Sequence, residues 1–284
     1  MELDRPVVVY EPEQRVRMGF FAGWSLMFRN LIRSRELVWQ LFRRDFFATY
    51  KQSVLGVSWI VISPIIGILS WVFMNYAGVL NPGDLAVPYP VYVLFGTAVW
   101  GLFMDFYGAA ASSLSSDDAL LLQANFNHEA LVAKQMARTV VSMIANIMLL
   151  VLVLALFGVR PDWKAVFFPL TVFPLFFLGA GIGMLVAVLA VVVRDVSKMV
   201  ATSLGLLMFV TPVIYAPGFQ NEILQAVIWW NPLTYLVGGA RDIVLYGRID
   251  HPGGYAWATL FSTLVFFLFW RLFFLSEQKV AEKA

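Results

Sequence analysis

Long apolar runs separated by short polar breaks dominate this chain. Gln52 opens a stretch without a charged residue that lasts until Asp84, directly after a segment that carries Arg43, Arg44 and Lys51. A bilayer core about 30 Å thick requires a helix of roughly 20 apolar residues. The runs therefore predict six membrane spans, at residues 55–80, 91–111, 140–157, 166–193, 200–216 and 256–275.

The polar segment ahead of the first span is also patterned. At 100° per residue, one side of a helix would carry Trp24, Phe28, Leu31, Val38, Phe42 and Phe46, and the other side would carry Arg29, Arg33, Glu36, Gln40 and Arg43. This pattern predicts an amphipathic helix that lies in the membrane interface. Because Arg35 interrupts the apolar side, two shorter helices with Ser34 as a cap are an equal alternative.

The segment between the fifth and sixth predicted spans is apolar but broken. Its two halves, residues 219–230 and 233–246, are separated by Asn231 and Pro232, and each is too short to cross a bilayer. Backbone at membrane depth must satisfy its own hydrogen bonds, so the two halves predict a re-entrant helical hairpin. The expected fold class is all-α integral membrane, with six transmembrane helices, the amphipathic interfacial helix and this hairpin.

The basic residues predict the orientation. Placing the amino terminus in the cytoplasm puts 16 of the 20 Lys and Arg residues inside and four outside, a strong positive-inside asymmetry. We therefore expect one transmembrane domain, residues 1–284, with cytoplasmic residues 1–52, a bundle at 53–275 and a cytoplasmic tail at 276–284. The first thirty residues lack the apolar core of a signal peptide, so the first span is expected to direct insertion.

Composition excludes several function classes. The chain is 60% hydrophobic and 13% charged, and its net charge of +2 gives no indication of nucleic-acid binding. Cysteine is absent and the two histidines, His128 and His251, are far apart, so no metal site is predicted. The dipeptide Gly-Lys does not occur, which excludes a P-loop, and any ATP-driven work requires a partner.

Few residues carry candidate chemistry. Asp105 is an ionisable residue near the middle of the second span, and it is either functional or a structural hydrogen-bonding group. Arg43, Arg44 and Lys51 either bind a lipid diphosphate or only anchor the topology. Gly179 and Gly183 have GxxxG spacing, which permits close helix contact inside the subunit or at a dimer seam.

Four groups of residues, in order along the chain, resemble the permease subunit of type-2 ABC exporters of polysaccharides, the Wzm-like O-antigen and teichoic acid group. The first group is Arg44-Asp45, then residues 50–56 (YKQSVLG) with Trp59 and Pro64. The others are Arg194-Asp195-Val196, the run at 211–215 (TPVIY), and the run at 231–234 (NPLT) with Arg241.

The resemblance implies a homodimer of six-span subunits around a channel, driven by two separate ABC ATPase subunits that bind ATP and Mg²⁺, so this chain needs no cofactor. It also implies a bacterial cytoplasmic (inner) membrane, with surrounding membrane lipids and a polyprenyl-diphosphate-linked glycan as substrate. The implied ATPase-docking residues are Asp117, Asp118, Leu121, Leu122, Phe126, His128 and Glu129. The channel or gate candidates are Trp59, Asp105, Tyr215, Trp229, Trp230, Asn231, Pro232, Tyr235 and Arg241.

Other functions are weighed against O-antigen export. Teichoic acid or capsular polysaccharide export is the nearest alternative, since these residues do not distinguish the polymer. An ion-coupled secondary transporter would need several polar groups inside the membrane, and Asp105 alone offers one. A membrane-embedded transferase would need a paired catalytic constellation, which neither Asp117-Asp118 nor His128 provides.

Overall fold

A computed structural model describes residues 34–50, 56–114, 128–218 and 221–281, together with Arg29 and Ile32. Within these residues the regular structure is helical, without a strand. The helices are α1 (Arg35–Tyr50), α2 (Trp59–Tyr76), α3 (Tyr89–Ala111), α4 (His128–Leu156), α5 (Phe168–Val192), α6 (Asp195–Leu207), α7 (Glu222–Trp230), α8 (Pro232–Leu245) and α9 (Pro252–Ala281). Two 3₁₀ turns, Gly56–Ser58 and Trp163–Phe167, precede α2 and α5.

Helices α3, α4, α5 and α9 correspond to four of the predicted spans. In the described part of the chain, the segments long and apolar enough to cross a membrane are Tyr89–Ala111, Thr139–Leu156, Trp163–Val192 and Pro252–Ser276. The first predicted span, residues 55–80, is a shorter apolar helix that ends at Tyr76. A left-handed turn at Gly78, with φ of 71°, follows it, because glycine adopts this conformation without steric cost.

The fifth predicted span is not a continuous helix. Residues 200–216 were expected to be helical throughout, but α6 ends at Leu207 and turns follow as far as Tyr215. Pro212 prevents helix from continuing through residues 211–216, since it lacks an amide hydrogen and disfavours helical backbone in the residue before it. Apolar composition predicted the run correctly, but it carries no information about where the backbone leaves the helix.

Helix α3 is the centre of the fold. Its side chains are buried along most of its length, and they pack against α5 over the most extensive helix–helix contact in the described chain. Phe95, Val99 and Phe103 are fully buried there. Helices α4, α2 and α8 also contact α3, and α9 packs on the other side of α5. Helices α2, α4, α5 and α8 therefore pack around one central helix.

The two GxxxG glycines lie inside the subunit. A Cβ added at Gly179 would fall 2.8 Å from the Phe103 carbonyl oxygen, and one at Gly183 would fall 2.6 Å from the Ala110 Cβ. Both contacts are with α3. Of the two interpretations left open by the sequence, the structure therefore supports internal packing of α5 on α3.

A helix with the predicted amphipathic pattern is found from Arg35 onward, with its boundary at the residue that the alternative of two shorter helices named. Helix α1 starts after Ser34 and packs against α4, with Leu41 and Phe42 buried. Arg43 is exposed, as the pattern predicts, and Arg44 is exposed as well. The earlier part of the predicted helix, including Trp24, lies outside the described residues.

Candidate functional site

A cavity of about 320 Å³ lies among the segments that connect the long helices at one end of the molecule. Residues from five segments line it: the 84–86 loop, the start of α3, the turn after α6, the α7–α8 pair, and the 246–251 loop before α9. The positive-inside pattern predicts that this end faces away from the cytoplasm. The cavity therefore belongs to the same region as the predicted outer hairpin.

Arg241 joins three of these segments. It is 4% exposed, its Nη1 donates a hydrogen bond of 3.1 Å to the Pro212 carbonyl oxygen, and its Cζ lies 4.0 Å from the centre of the Tyr92 ring. The Tyr92 hydroxyl donates in turn to the Tyr215 carbonyl oxygen at 3.0 Å. A guanidinium over an aromatic face is attracted by the ring quadrupole. Arg241 thus fixes the turn after α6 against the start of α3.

Asp242 is the charge partner of Arg241. The two are 3.7 Å apart, from Nε to Oδ1, which is longer than a good charge-assisted hydrogen bond. Among the described residues, Arg241 Nε has no hydrogen-bond partner. Burial raises the pKa of the Asp242 carboxyl to about 6, and the lowering effect of Arg241 offsets only part of this. Because the Arg241 guanidinium is shared with Pro212 and Tyr92, the carboxylate is incompletely compensated.

Asn231 forms the corner between α7 and α8. Its side-chain oxygen accepts the Leu233 amide at 3.0 Å and so caps α8, while its own amide hydrogen ends α7 on the Ile228 carbonyl at 3.3 Å. Its Nδ2 donates to Thr211 Oγ1 at 2.8 Å. One buried residue therefore ends one helix through its backbone and, through its side chain, starts the next and binds the turn after α6.

Aromatic rings form one wall of the cavity. The Trp229 ring lies 4.7 Å from His251 and 5.8 Å from Tyr235, measured between ring centres. The Tyr235 hydroxyl donates to the Trp229 carbonyl oxygen at 2.8 Å, which fixes the orientation of the Tyr235 ring. The adjacent Trp230 points away and is 79% exposed. The two tryptophans, indistinguishable in sequence, therefore have different surroundings.

The structure brings together some of the predicted channel residues and separates others. Trp229, Tyr235 and Arg241 line the cavity, while Tyr215, Asn231 and Pro232 belong to the surrounding framework. Trp59 is at the first turn of α2 and Asp105 is on an exposed face of α3, and neither lines the cavity. The position of a residue does not by itself show a role in transport, so the channel and gate roles of these residues stay predictions.

The cytoplasmic candidates are described only in part. Lys51, Asp117, Asp118, Leu121, Leu122 and Phe126 lie outside the described residues. His128 and Glu129 begin α4, and their side chains are not described. Sequence reasoning missed several cavity residues, among them Asp84, Tyr92, Asp242 and Asp250. Only Asp242 carried a signal, as a carboxylate next to Arg241 within an apolar run.

Comparison with known proteins shows similarity over most of this chain. The family model described as ABC-2 type transporter matches residues 36–245, from α1 through α8. An O-antigen export system permease protein RfbA of Myxococcus xanthus is 26% identical over 224 residues, which cover 78% of this chain and 85% of that protein. A protein of the same description from Klebsiella pneumoniae is 21% identical over 218 residues, covering 76% and 83%.

Proposed function

The chain belongs to the ABC-2 type transporter family, and we propose that it is the membrane-spanning subunit of an ATP-driven exporter of a lipid-linked O-antigen polysaccharide. The observation that carries the proposal is the resemblance to O-antigen export permeases over more than three quarters of this chain. The family match, residues 36–245, includes the α7–α8 pair around the cavity. Such a subunit provides the path across the membrane and performs no chemical step.

The energy for export would come from a separate ABC ATPase, since the sequence offers no P-loop. We propose a homodimer of permease chains with two ATPase subunits in a bacterial cytoplasmic membrane, with both termini in the cytoplasm. In this arrangement α2 and α6, with the turns that follow α6, complete the six spans. Neighbouring protein would cover their irregular backbone, as membrane-embedded segments require.

Helix α1 and the predicted docking residues 117–129 both connect to α4, which supports a proposed role for α1 beside them in coupling to the ATPase. Helix α1 packs on α4, and α4 begins at His128, so the docking candidates His128 and Glu129 are its first two residues. A displacement of either element would therefore be transmitted to α4, which runs from the predicted cytoplasmic side into the membrane. Leu37 and Trp39 on α1 are exposed apolar side chains available to such a partner.

One face of α3 supports a passage for substrate. Thr97, Gly101, Asp105 and Gly108 recur at helical spacing, and a Cβ at either glycine would meet no atom within 4 Å. The rest of α3 is largely buried in the subunit. A polar, small-residue face on the central helix is unsuited to lipid, so we propose that it borders the glycan path and that the α7–α8 hairpin gates the outer end.

Purification of the tagged chain from native membranes in mild detergent tests this function. We expect an ABC ATPase at one copy per permease, and loss of the glycan from the surface of cells that lack this chain. A chain that comes alone in several mild detergents, together with normal surface glycan in the deletion strain, would contradict the proposal. Surface glycan composition in the same strain would distinguish O-antigen from capsule or teichoic acid.

Charge reversal of Arg43 and Arg44 tests the proposed contact with the lipid diphosphate. Cationic side chains on the cytoplasmic boundary attract anionic head groups, so Arg43→Glu with Arg44→Glu should reduce substrate-stimulated ATPase activity of the reconstituted complex severalfold. Arg35→Glu, at the exposed start of the same helix, makes the same charge change as Arg43→Glu or Arg44→Glu alone and is the matched control for each single variant. Unchanged stimulation in a correctly inserted double variant would leave these arginines with a topological role alone.

A further inference from the structure

The cavity beside α8 has the size and lining of a ligand site. Small-molecule sites occupy roughly 300–1,000 Å³ and combine aromatic walls with a few placed polar groups. At about 320 Å³ this cavity is at the small end, suited to a single compact molecule and not to a length of polymer. Its lining includes Trp229, Tyr235, Tyr246 and His251 beside five charged side chains.

The aromatic wall is fixed before any ligand arrives. Tyr235 is held by its hydroxyl bond to the Trp229 backbone, and the Trp229 ring packs edge-on against His251. Rings held in place present apolar faces at little entropic cost on binding. Flat apolar faces next to hydrogen-bonding groups match the two kinds of surface on a sugar ring, its C–H face and its hydroxyl edge.

Four of the five charged lining residues form two pairs. Arg248 Nε donates to Asp250 Oδ1 at 3.1 Å, and Arg241 lies beside Asp242. With Asp84, the lining holds three carboxylates against two guanidinium groups. An anionic ligand such as a phosphate or a uronic acid would meet this excess of negative charge. A neutral hydroxyl group, which both donates and accepts, suits carboxylate acceptors and guanidinium donors together.

At Gly238 no side chain extends into the cavity. A Cβ there would have only Asp242 Oδ2 near it, at 4.0 Å. The neighbouring Gly239 differs, because its added Cβ would collide with the Tyr255 ring at 2.5 Å. Gly239 thus serves helix packing, whereas the space at Gly238 is part of the cavity. A bulky side chain at 238 would fill the space that a ligand needs, whereas the small side chain of cysteine leaves most of the 320 Å³ free.

From this geometry we infer that the cavity binds one neutral sugar ring, with Trp229 and Tyr235 against its apolar face and Asp242 and Arg241 at its hydroxyl edge. The inference rests on the proposed export function, which supplies sugar as the passing substrate. It adds a defined sugar-binding site at the outer end of the path. A glycan leaving the channel would be held there by one unit at a time.

A single cysteine reports on occupancy, because the chain contains none of its own. We propose Gly238→Cys, with Gly253→Cys as the matched control: Gly253 is also a helical glycine near the outer end, has open space around it, and does not line the cavity. The full chain in nanodiscs would be labelled with a charged methanethiosulfonate reagent. The probes are the methyl glycosides of glucose, mannose, galactose and rhamnose.

We expect at least one neutral glycoside to slow labelling of Gly238→Cys about fourfold at roughly three times its Kd, since mass action then leaves about a quarter of sites empty. Gly253→Cys should label at an unchanged rate, and methyl glucuronide and inorganic phosphate should protect neither variant. Unchanged labelling of Gly238→Cys with every neutral glycoside would overturn the inference. Equal slowing of both variants, or protection by the anions, would also overturn it.

Saturation-transfer NMR on the unsubstituted chain provides a second measurement that does not depend on the variants. Magnetisation should pass from the protein to a neutral methyl glycoside, and its complete absence for all four probes would contradict the site. These binding measurements are separate from the surface-glycan assay of the deletion strain. A chain that exports glycan but binds no monosaccharide would leave the proposed function standing and remove this site.

Discussion

The Arg241→Met substitution is expected to destabilise the protein by about 3 to 5 kcal/mol, because removal of one partner of a buried ion pair leaves the other charge uncompensated. The Pro212 carbonyl oxygen would also lose the 3.1 Å bond that it accepts, and the Tyr92 ring would lose its cation. Methionine retains most of the side-chain volume. Loss of packing is therefore a minor part of the effect.

Thermal denaturation of the purified chain measures this loss. A change of this size should lower the apparent midpoint by roughly 10 °C in a protein of this length. The Arg241→Met Asp242→Asn double variant should recover much of the difference, since it buries no charge at either position. If the double variant were as unstable as the sum of the two single variants, charge compensation would not be the cause.

The loss should also depend on pH. The Asp242 pKa, already about 6 and above its ordinary value, rises further when Arg241 is removed. A raised carboxyl pKa means that the folded state binds more protons than the unfolded state, so the free energy of unfolding falls as pH increases through this window. Arg241→Met should therefore be more damaging at pH 8 than at pH 5. An equal deficit at both pH values would contradict this.

Arg248→Met is the matched control for Arg241→Met. Arg248 pairs with Asp250 at 3.1 Å, closer than the 3.7 Å of the buried pair. Both side chains of this closer pair are exposed, to 77% and 44%. Exposed pairs contribute about 0 to 1 kcal/mol. We expect a shift of at most a few degrees. Burial, not the shorter distance, should decide which arginine matters for stability.

The second large effect is expected for Gly183→Ala, at the contact between α5 and α3. The added Cβ would lie 2.6 Å from the Ala110 Cβ and 3.0 Å from the Ala111 amide nitrogen, and closest to the Tyr107 carbonyl oxygen. Helix backbone cannot yield as a flexible side chain can. Overpacking of this kind costs about 1 to 3 kcal/mol or more, and it outweighs the better helix propensity of alanine, about 1 kcal/mol.

Gly108→Ala on α3 is the control that separates packing from propensity. A Cβ at Gly108 meets no atom within 4 Å, so only the propensity gain applies. The denaturation midpoint should fall for Gly183→Ala and stay level or rise slightly for Gly108→Ala. The same glycine-to-alanine change would then destabilise the protein at one position and not at the other. Similar midpoints for both would show that α5 does not depend on this close approach to α3.

The helices were well predicted from local patterns, because hydropathy and amphipathic periodicity are properties of a few consecutive helical turns. The stripe that placed Phe42 inward and Arg43 outward is found in α1, and the break at Asn231 does separate α7 from α8. The end of α6 at Leu207 was missed, since an apolar run does not reveal where backbone hydrogen bonds stop.

The site was less predictable because its contacts join distant parts of the chain. Arg241 was singled out by family resemblance, but its ring partner Tyr92 belongs to α3, and its carbonyl partner Pro212 follows α6. Nothing in the local sequence pairs these positions. Likewise, GxxxG spacing allowed two roles for Gly183, and only the position of α3 distinguishes them.

Asn231 has a consequence for how the length of this hairpin can vary. Because one residue ends α7, begins α8 and binds Thr211, an inserted residue at the corner would need a second capping side chain and would displace the first from its partner. Insertions before Glu222 or after Tyr246 disturb none of these bonds. Homologues with longer or shorter outer segments should therefore differ at those two places and keep the corner at a single residue.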